Sequence, residues 1–183
     1  MPDEFAAVRE RVRLLEAREA CVSTLNEYLH YLDGEFTDDL LALFMPDAQL
    51  EVMNYPPGSG INLDLRGHEQ IRPLYQEHRG IMSRHHAANV AVNVSRDARS
   101  AELSAYFLTA LTYGLTGGIY EARFEARDGS WLITRLRISS TWGWVLPQEA
   151  PPFLSEHLGA GTLRGGRPVV YDPPSEAGEP RWQ

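Results

Sequence analysis

The chain has 183 residues, enough for one domain whose core needs neither disulfides nor metal. Hydrophobic residues make up 43% and charged ones 23%, while 17 basic against 25 acidic side chains leave a net charge of −8, which argues against nucleic acid or an anionic membrane as partner. The lone Cys21 excludes a disulfide framework and suits a reducing cytoplasm, and no apolar run approaches the ~20 residues of a membrane span.

The first 20 residues are charged throughout and contain no secretory apolar stretch. Phe5, Val8, Val12, Leu15, Val22, Leu25, Leu29 and Leu32 recur at helical spacing, which predicts one long amphipathic helix. It should close at Asp33-Gly34, with glycine in the left-handed cap position. Thr37 reads as the N-cap of a short helix through Phe44, stopped by Pro46 and Asp47. Leu50 and Val52 predict a strand, followed by the turn-rich loop 54–60 and a third helix over 69–79 closed by Gly80.

After Gly80 the apolar period changes from 3.6 to 2, which predicts strands over 84–94, 101–113, 118–127 and 131–142. Asp128-Gly129 is a strong hairpin signal between the last two. In strand 118–127, Tyr120, Ala122, Phe124 and Ala126 share one face and Glu121, Arg123, Glu125 and Arg127 the other, so the first should be buried. Residues 147–183 hold seven of the twelve prolines and are expected to form an extension that packs on domain 1–146 or on a neighbouring subunit. Helices followed by antiparallel strands make an α+β layout, a strongly curved sheet wrapped on the helices around a pocket.

Two adjacent histidines open the first of these strands, and only one can face the pocket. His85, Ala87, Asn89, Ala91 and Asn93 share the small or polar face, which selects His85 as the pocket residue. Histidine starts with a pKa near neutrality and suits a general base, and a carboxylate beside it fixes the tautomer and supports the imidazolium. Asp33, at a helix end, either serves that role or caps backbone donors. Tyr28 is either a donor to a developing oxyanion or a core tyrosine, and buried Tyr120 needs a partner for its hydroxyl. Asn89 either binds substrate or ties strands together, while Tyr55, Met53, Trp142 and Trp144 are read as an apolar wall. His30 is a rival imidazole one turn before Asp33. The chain has no HxH, HExxH or paired-cysteine spacing, no GxSxG, and only the short Gly58-Ser59-Gly60, so neither a metal nor a cofactor is expected.

Five motifs recur in order: Tyr28-x-x-x-Leu32-Asp33-Gly34; Asp39-Leu40-Leu41-x-Leu43-Phe44-x-x-Asp47-Ala48; His85-His86-x-x-Asn89; Gly117-Gly118-x-Tyr120-Glu121; and Asp128-Gly129-x-Trp131. Together they resemble the SnoaL-like branch of the NTF2-like superfamily over residues 8–145, in particular its scytalone dehydratase and bile-acid 7α-dehydratase members. The resemblance implies an NTF2-like cone, with Asp33 orienting His85 for proton abstraction and Tyr28 and Tyr120 as pocket polar residues. Thr109 stands near the position of an acidic residue in the bile-acid enzymes, and Ser139 or Ser140 near that of an arginine. The implied activity is that of a cofactor-independent lyase or isomerase, of dehydratase or cyclase type, acting on a small apolar cyclic metabolite. The same resemblance leaves open a non-catalytic β subunit of a ring-hydroxylating dioxygenase, or an apolar-ligand-binding scaffold. It also implies a homo-oligomer.

Overall fold

The computed structural model describes residues 4–55, 58–77, 83–111 and 114–145. The expected extension 147–183, and the expected helix stop at Gly80, lie outside them. Three helices, α1 (Glu4–Asp33), α2 (Thr37–Ala42) and α3 (Gly67–Glu77), accompany six strands: β1 (Phe44–Met53), β2 (Leu63–Arg66), β3 (Ser83–Val94), β4 (Ser100–Leu111), β5 (Gly114–Arg127) and β6 (Ser130–Val145). The strands form one open mixed sheet in the order β2-β1-β6-β5-β4-β3, parallel only between β1 and β6. This is the expected α+β arrangement. Among the described residues no helix is long and apolar enough to cross a membrane.

The core lies between the helices and one face of the sheet. Leu25, Leu40, Leu41, Leu50, Ile71, Ile133 and Leu136 are all at most 1% exposed. On α1 the buried seam is Ala17, Cys21, Thr24, Leu25, Tyr28 and Leu29. The apolar stripe read from the sequence is therefore only half correct: Phe5, Val8, Val12 and Leu15 are exposed. Arg13 fastens this part of the helix to the β3–β4 turn, donating to the carbonyls of Arg96 and Asp97.

The end of α1 matters because it carries Asp33. Phe36 N–H donates to Tyr31 O and Glu35 N–H to Leu32 O, a Schellman closure reinforced by contact between the Tyr31 and Phe36 rings. The left-handed position is Glu35 (φ 60), not Gly34 as expected. Gly34 instead makes room for Phe36, whose ring would lie 2.5 Å from an added Cβ. Two neighbouring expectations also change. The N-cap of α2 is Phe36, with no side-chain cap bond, and Thr37 is already helical; Phe44 and Pro46 belong to β1.

β3, β4 and β6 start within one residue of the expected positions, whereas β5 begins at Gly114, four residues before the expected 118; β2, four residues long, is the element not anticipated. Asp128 (φ 51) and Gly129 (φ 86) are both left-handed, as a two-residue type I′ hairpin requires. Register shifts interrupt the pairing in four places among the described residues. In β3 the interruption centres on Asn89, itself left-handed at φ 53. Ser83, His85 and Ala87 point inward before it, and Val90, Val92 and Val94 after it. One extra residue thus turns each half of β3 with its apolar or functional side toward the core. Asn89, Ala91 and Asn93 consequently face solvent, contrary to the uniform alternation expected from the sequence.

Candidate functional site

A partly open cavity of about 90 Å³ lies between α1, α3 and the inner face of the sheet. It is smaller than the apolar cavity of about 150 Å³ that holds benzene, although it is open at one side. Leu32 of α1, Leu74 of α3, and Val52, Phe107, Leu111 and Ile138 of the sheet make its apolar wall. The polar groups that reach it are Tyr28, Tyr55, Tyr75, Tyr120, Ser83, His85, Thr109, Thr116 and Ser140.

At one end stands a carboxylate–imidazole pair. His85 Nδ1 is 2.7 Å from Asp33 Oδ1, and the His85 main-chain N–H donates to Asp33 Oδ2 at 3.0 Å. Ser83 Oγ adds a longer contact of 3.4 Å to Oδ1. With both carboxylate oxygens accepting from one residue, the ring tautomer is set: Nδ1 carries the proton toward Asp33, and Nε2 is the basic atom. Side-chain exposures of 15% for His85 and 17% for Asp33 leave the pair at the cavity edge rather than sealed in the core.

The register extends this polar end across the sheet. His85 is paired with Thr109 on β4, and Thr109 with Thr116 on β5, so the three side chains lie in a row on the inner face. Ser140 lies opposite Gly118, two residues along β5 from Thr116. Thr116 Oγ1 donates to Trp142 O and is thereby held in place. Gly118 cannot carry a side chain: an added Cβ would sit 1.9 Å from Ser139 O and 2.8 Å from the Phe107 ring.

A cluster of phenols lines the same cavity. Tyr28 and Tyr75 are buried and their hydroxyls are 3.1 Å apart. Tyr120 meets the Tyr28 ring edge-on at 6.3 Å and stacks on Phe107 at 4.6 Å. Burial pushes all three phenols up, so they remain protonated; for Tyr120 the neighbouring Tyr28 and the Asp33 carboxylate act in the same direction.

Of the residues singled out from the sequence, Asp33 and His85 are in contact, and Tyr28, Tyr120, Tyr55 and Thr109 line the cavity. Three others do not line it. Asn89 is turned to solvent by its bulge. Met53 alternates with Val52, and Val52 is the residue of that strand that faces the cavity. Trp142 is 40% exposed, because the bulge between Ser140 and Trp142 places its ring over Gly117 on the outer face. Trp144 lies where side chains are not described. His30 is exposed on α1 and His86 on the outer face of β3, so neither rivals His85. Of the pair Ser139 and Ser140, Ser140 lines the cavity. Tyr75, Ser83 and Thr116 are site residues that the sequence reading does not single out; a tyrosine on the apolar stripe of α3, whose hydroxyl must find a partner, is the available signal for the first.

Solved structures with the same fold include a candidate scytalone dehydratase from Novosphingobium aromaticivorans, 19% identical with TM-score 0.64, over 76% of this chain and 98% of that one. A hexachlorocyclohexane dehydrochlorinase from Novosphingobium barchaimii is 20% identical with TM-score 0.63, over 78% and 99%. The β subunit of a candidate aromatic-ring-hydroxylating dioxygenase from N. aromaticivorans is 15% identical with TM-score 0.57, over 70% and 92%. No curated protein matches the chain. At these identities the likeness establishes the fold, not a reaction. The model of the SnoaL-like domain matches residues 13–137, more than half of the chain, and the protein therefore belongs to the SnoaL-like family.

Proposed function

We propose that the protein is a cofactor-independent lyase or isomerase, of dehydratase or cyclase type, which removes a C–H proton from a small, largely apolar cyclic metabolite. The observation that carries this reading is the two-point contact of Asp33 with His85 at the edge of the cavity. Asp33 holds the imidazole with Nδ1 protonated and stabilises the cation formed when Nε2 takes the substrate proton. The protonated ring then returns the proton to a leaving oxygen in a dehydration, or to another carbon in an isomerisation. Apolar walls exclude water and strengthen each of these interactions.

The test is deuterium exchange. Small cyclic ketones incubated with the protein in D₂O should lose α-proton NMR signal faster than with buffer, and His85→Ala should abolish the acceleration. Equal rates for wild type and His85→Ala would remove the reading.

A second reading has one observation in its favour. Tyr106, Leu108 and Trp142 are exposed on the outer face of the sheet, a surface suited either to a second copy of the chain or, as in a dioxygenase β subunit, to a larger subunit. Light scattering of the purified protein separates them, since the enzyme reading expects a homo-oligomer and the subunit reading expects stable co-purification with an iron-bearing partner.

A further inference from the structure

The exposed apolar stripe at the start of α1 is turned away from the protein's own core. At about 100° per residue, Phe5, Val8, Val12 and Leu15 point roughly half a turn from the buried seam of Ala17, Cys21, Thr24 and Tyr28. Their exposures are 76%, 59%, 44% and 56%. Together they present a few hundred Å² of apolar surface, the size that marks an interaction site. Arg13, fastened to the β3–β4 turn, holds another side of the same turns against the domain, so the stripe cannot roll inward. Because the helix is already formed and anchored, a partner would not have to induce it.

We infer that the start of α1 is a dimerisation arm: two copies of the chain pair in parallel along Phe5, Val8, Val12 and Leu15, with each folded domain on the outside of the pair. The four side chains follow the 3-4-3 spacing of a coiled coil, with Phe5 and Val12 at a and Val8 and Leu15 at d. A β-branched residue at a with leucine at d, as in Val12 and Leu15, favours two parallel strands. The flanking charges agree. Glu4 and Arg11 occupy g, Arg9 and Glu16 occupy e, and all four are exposed. A parallel pair sets each g side chain beside the next e side chain of the other copy: Glu4 meets Arg9, and Arg11 meets Glu16. Two-fold symmetry repeats both contacts. An antiparallel pair would instead set Arg9 against Arg9 and Arg11 against Arg11, like charges that disfavour it. Residues 4–19 hold four arginines and four glutamates in a chain of net charge −8, so the copies meet through a stretch that adds nothing to their repulsion. After Leu15 the same face turns polar with Glu19, Ser23, Asn26 and His30, all exposed, which ends the seam and lets the helices diverge toward their domains.

The test is sedimentation velocity of the full chain over a range of concentrations, with each variant checked for fold by circular dichroism. The wild type should contain an even number of chains, and Val8→Glu/Val12→Glu half as many. Arg11→Glu sets a like charge beside Glu16 of the second copy and should weaken association about tenfold, and adding Glu16→Arg should restore it. Under mild oxidation Val8→Cys should give a disulfide-linked dimer, whereas Ala6→Cys, outside the stripe, should not. A wild type that stays monomeric, whether another protein or a segment of its own chain then covers the stripe, would overturn the inference. So would an odd number of chains, or failure of Glu16→Arg to rescue. An unchanged mass for Val8→Glu/Val12→Glu would do the same, by moving the contact elsewhere, such as to the outer face of the sheet. Should Val8→Glu/Val12→Glu prove unfolded, the Arg11 and Glu16 exchange, which alters exposed side chains only, decides by the same criterion. None of these readouts involves His85 or a substrate, so this inference and the proton-transfer reading fail separately.

Discussion

Asp33 grips His85 at two points, the ring Nδ1 at 2.7 Å and the main-chain N–H at 3.0 Å, across 52 positions of sequence. A carboxylate that holds both the ring and the backbone of one residue fixes its orientation as well as its tautomer. Asp33→Asn keeps one acceptor oxygen and almost the same shape but loses the charge that supports the imidazolium. Proton-abstraction rates should therefore fall by about 10²–10⁴-fold, with far-ultraviolet circular dichroism unchanged. A ¹⁵N-detected spectrum of His85 in the wild type should show the Nδ1-protonated tautomer. A variant with near-normal exchange rates would leave the Asp33–His85 contact a purely structural feature.

The second expectation concerns Asn89. Its φ of 53 lies in the left-handed region, which asparagine tolerates, glycine adopts without strain and β-branched residues resist. Asn89→Gly should be near neutral. Asn89→Val should destabilise by about 1–2 kcal/mol in urea unfolding, because the bulge must either keep a strained valine or dissolve. Dissolving it would turn one half of β3 inside out, so exchange activity should fall along with stability even though Asn89 itself faces solvent.

That bulge also marks the limit of what the sequence discloses. His85 and Asp33 are legible because each sits at a pattern boundary, the first at the onset of alternation and the second at the end of the helical period. Small and polar residues continue at every second position through Asn93, and nothing in that alternation announces the extra residue at Asn89. The parity of the distal half of β3 therefore inverts without warning. Trp142 is misplaced for the same reason, since one irregular residue in β6 moves it to the outer face. Tyr75 illustrates a different loss: on α3 it belongs to an ordinary apolar stripe, and only its 3.1 Å approach to Tyr28, from an element 47 residues away, reveals a polar role. Short β2 escapes notice because four residues carry too little alternation to stand out from a loop.

Gly117 and Gly118 should respond differently to the same substitution. At Gly118 an added methyl would meet the backbone carbonyl of Ser139 at 1.9 Å, so Gly118→Ala has to separate β5 from β6 beside the cavity. It should cost at least about 3 kcal/mol or leave no folded protein. At Gly117 the obstruction is the Trp142 ring, 2.4 Å from the added Cβ and free to rotate because it is 40% exposed. Gly117→Ala should stay folded, lose about 1 kcal/mol, and shift the Trp142 fluorescence as the ring is displaced. Similar stability losses for the two variants would contradict the placement of Trp142 on the outer face.

The protein should lose stability in alkali more steeply than its composition suggests. Cys21 is pushed up from 9.0 to about 12 by burial, and burial raises Tyr28, Tyr75 and Tyr120 as well. Each of these groups holds its proton in the folded chain to higher pH than in the unfolded chain. The unfolded chain therefore releases protons first, and stability that is complete below the unfolded pKa falls as pH rises toward the folded one. For Cys21 the decline begins near pH 9 and for the tyrosines near pH ~10, with each fully contributing group costing about 1.4 kcal/mol per pH unit. Urea midpoints measured from pH 8 upward should thus be flat at first and then drop. Tyr75→Phe should make the drop shallower by roughly one group's share, whatever it does to stability at neutral pH. A wild-type profile that stays flat well above pH ~10 would mean that these phenols are hydrated in the folded state.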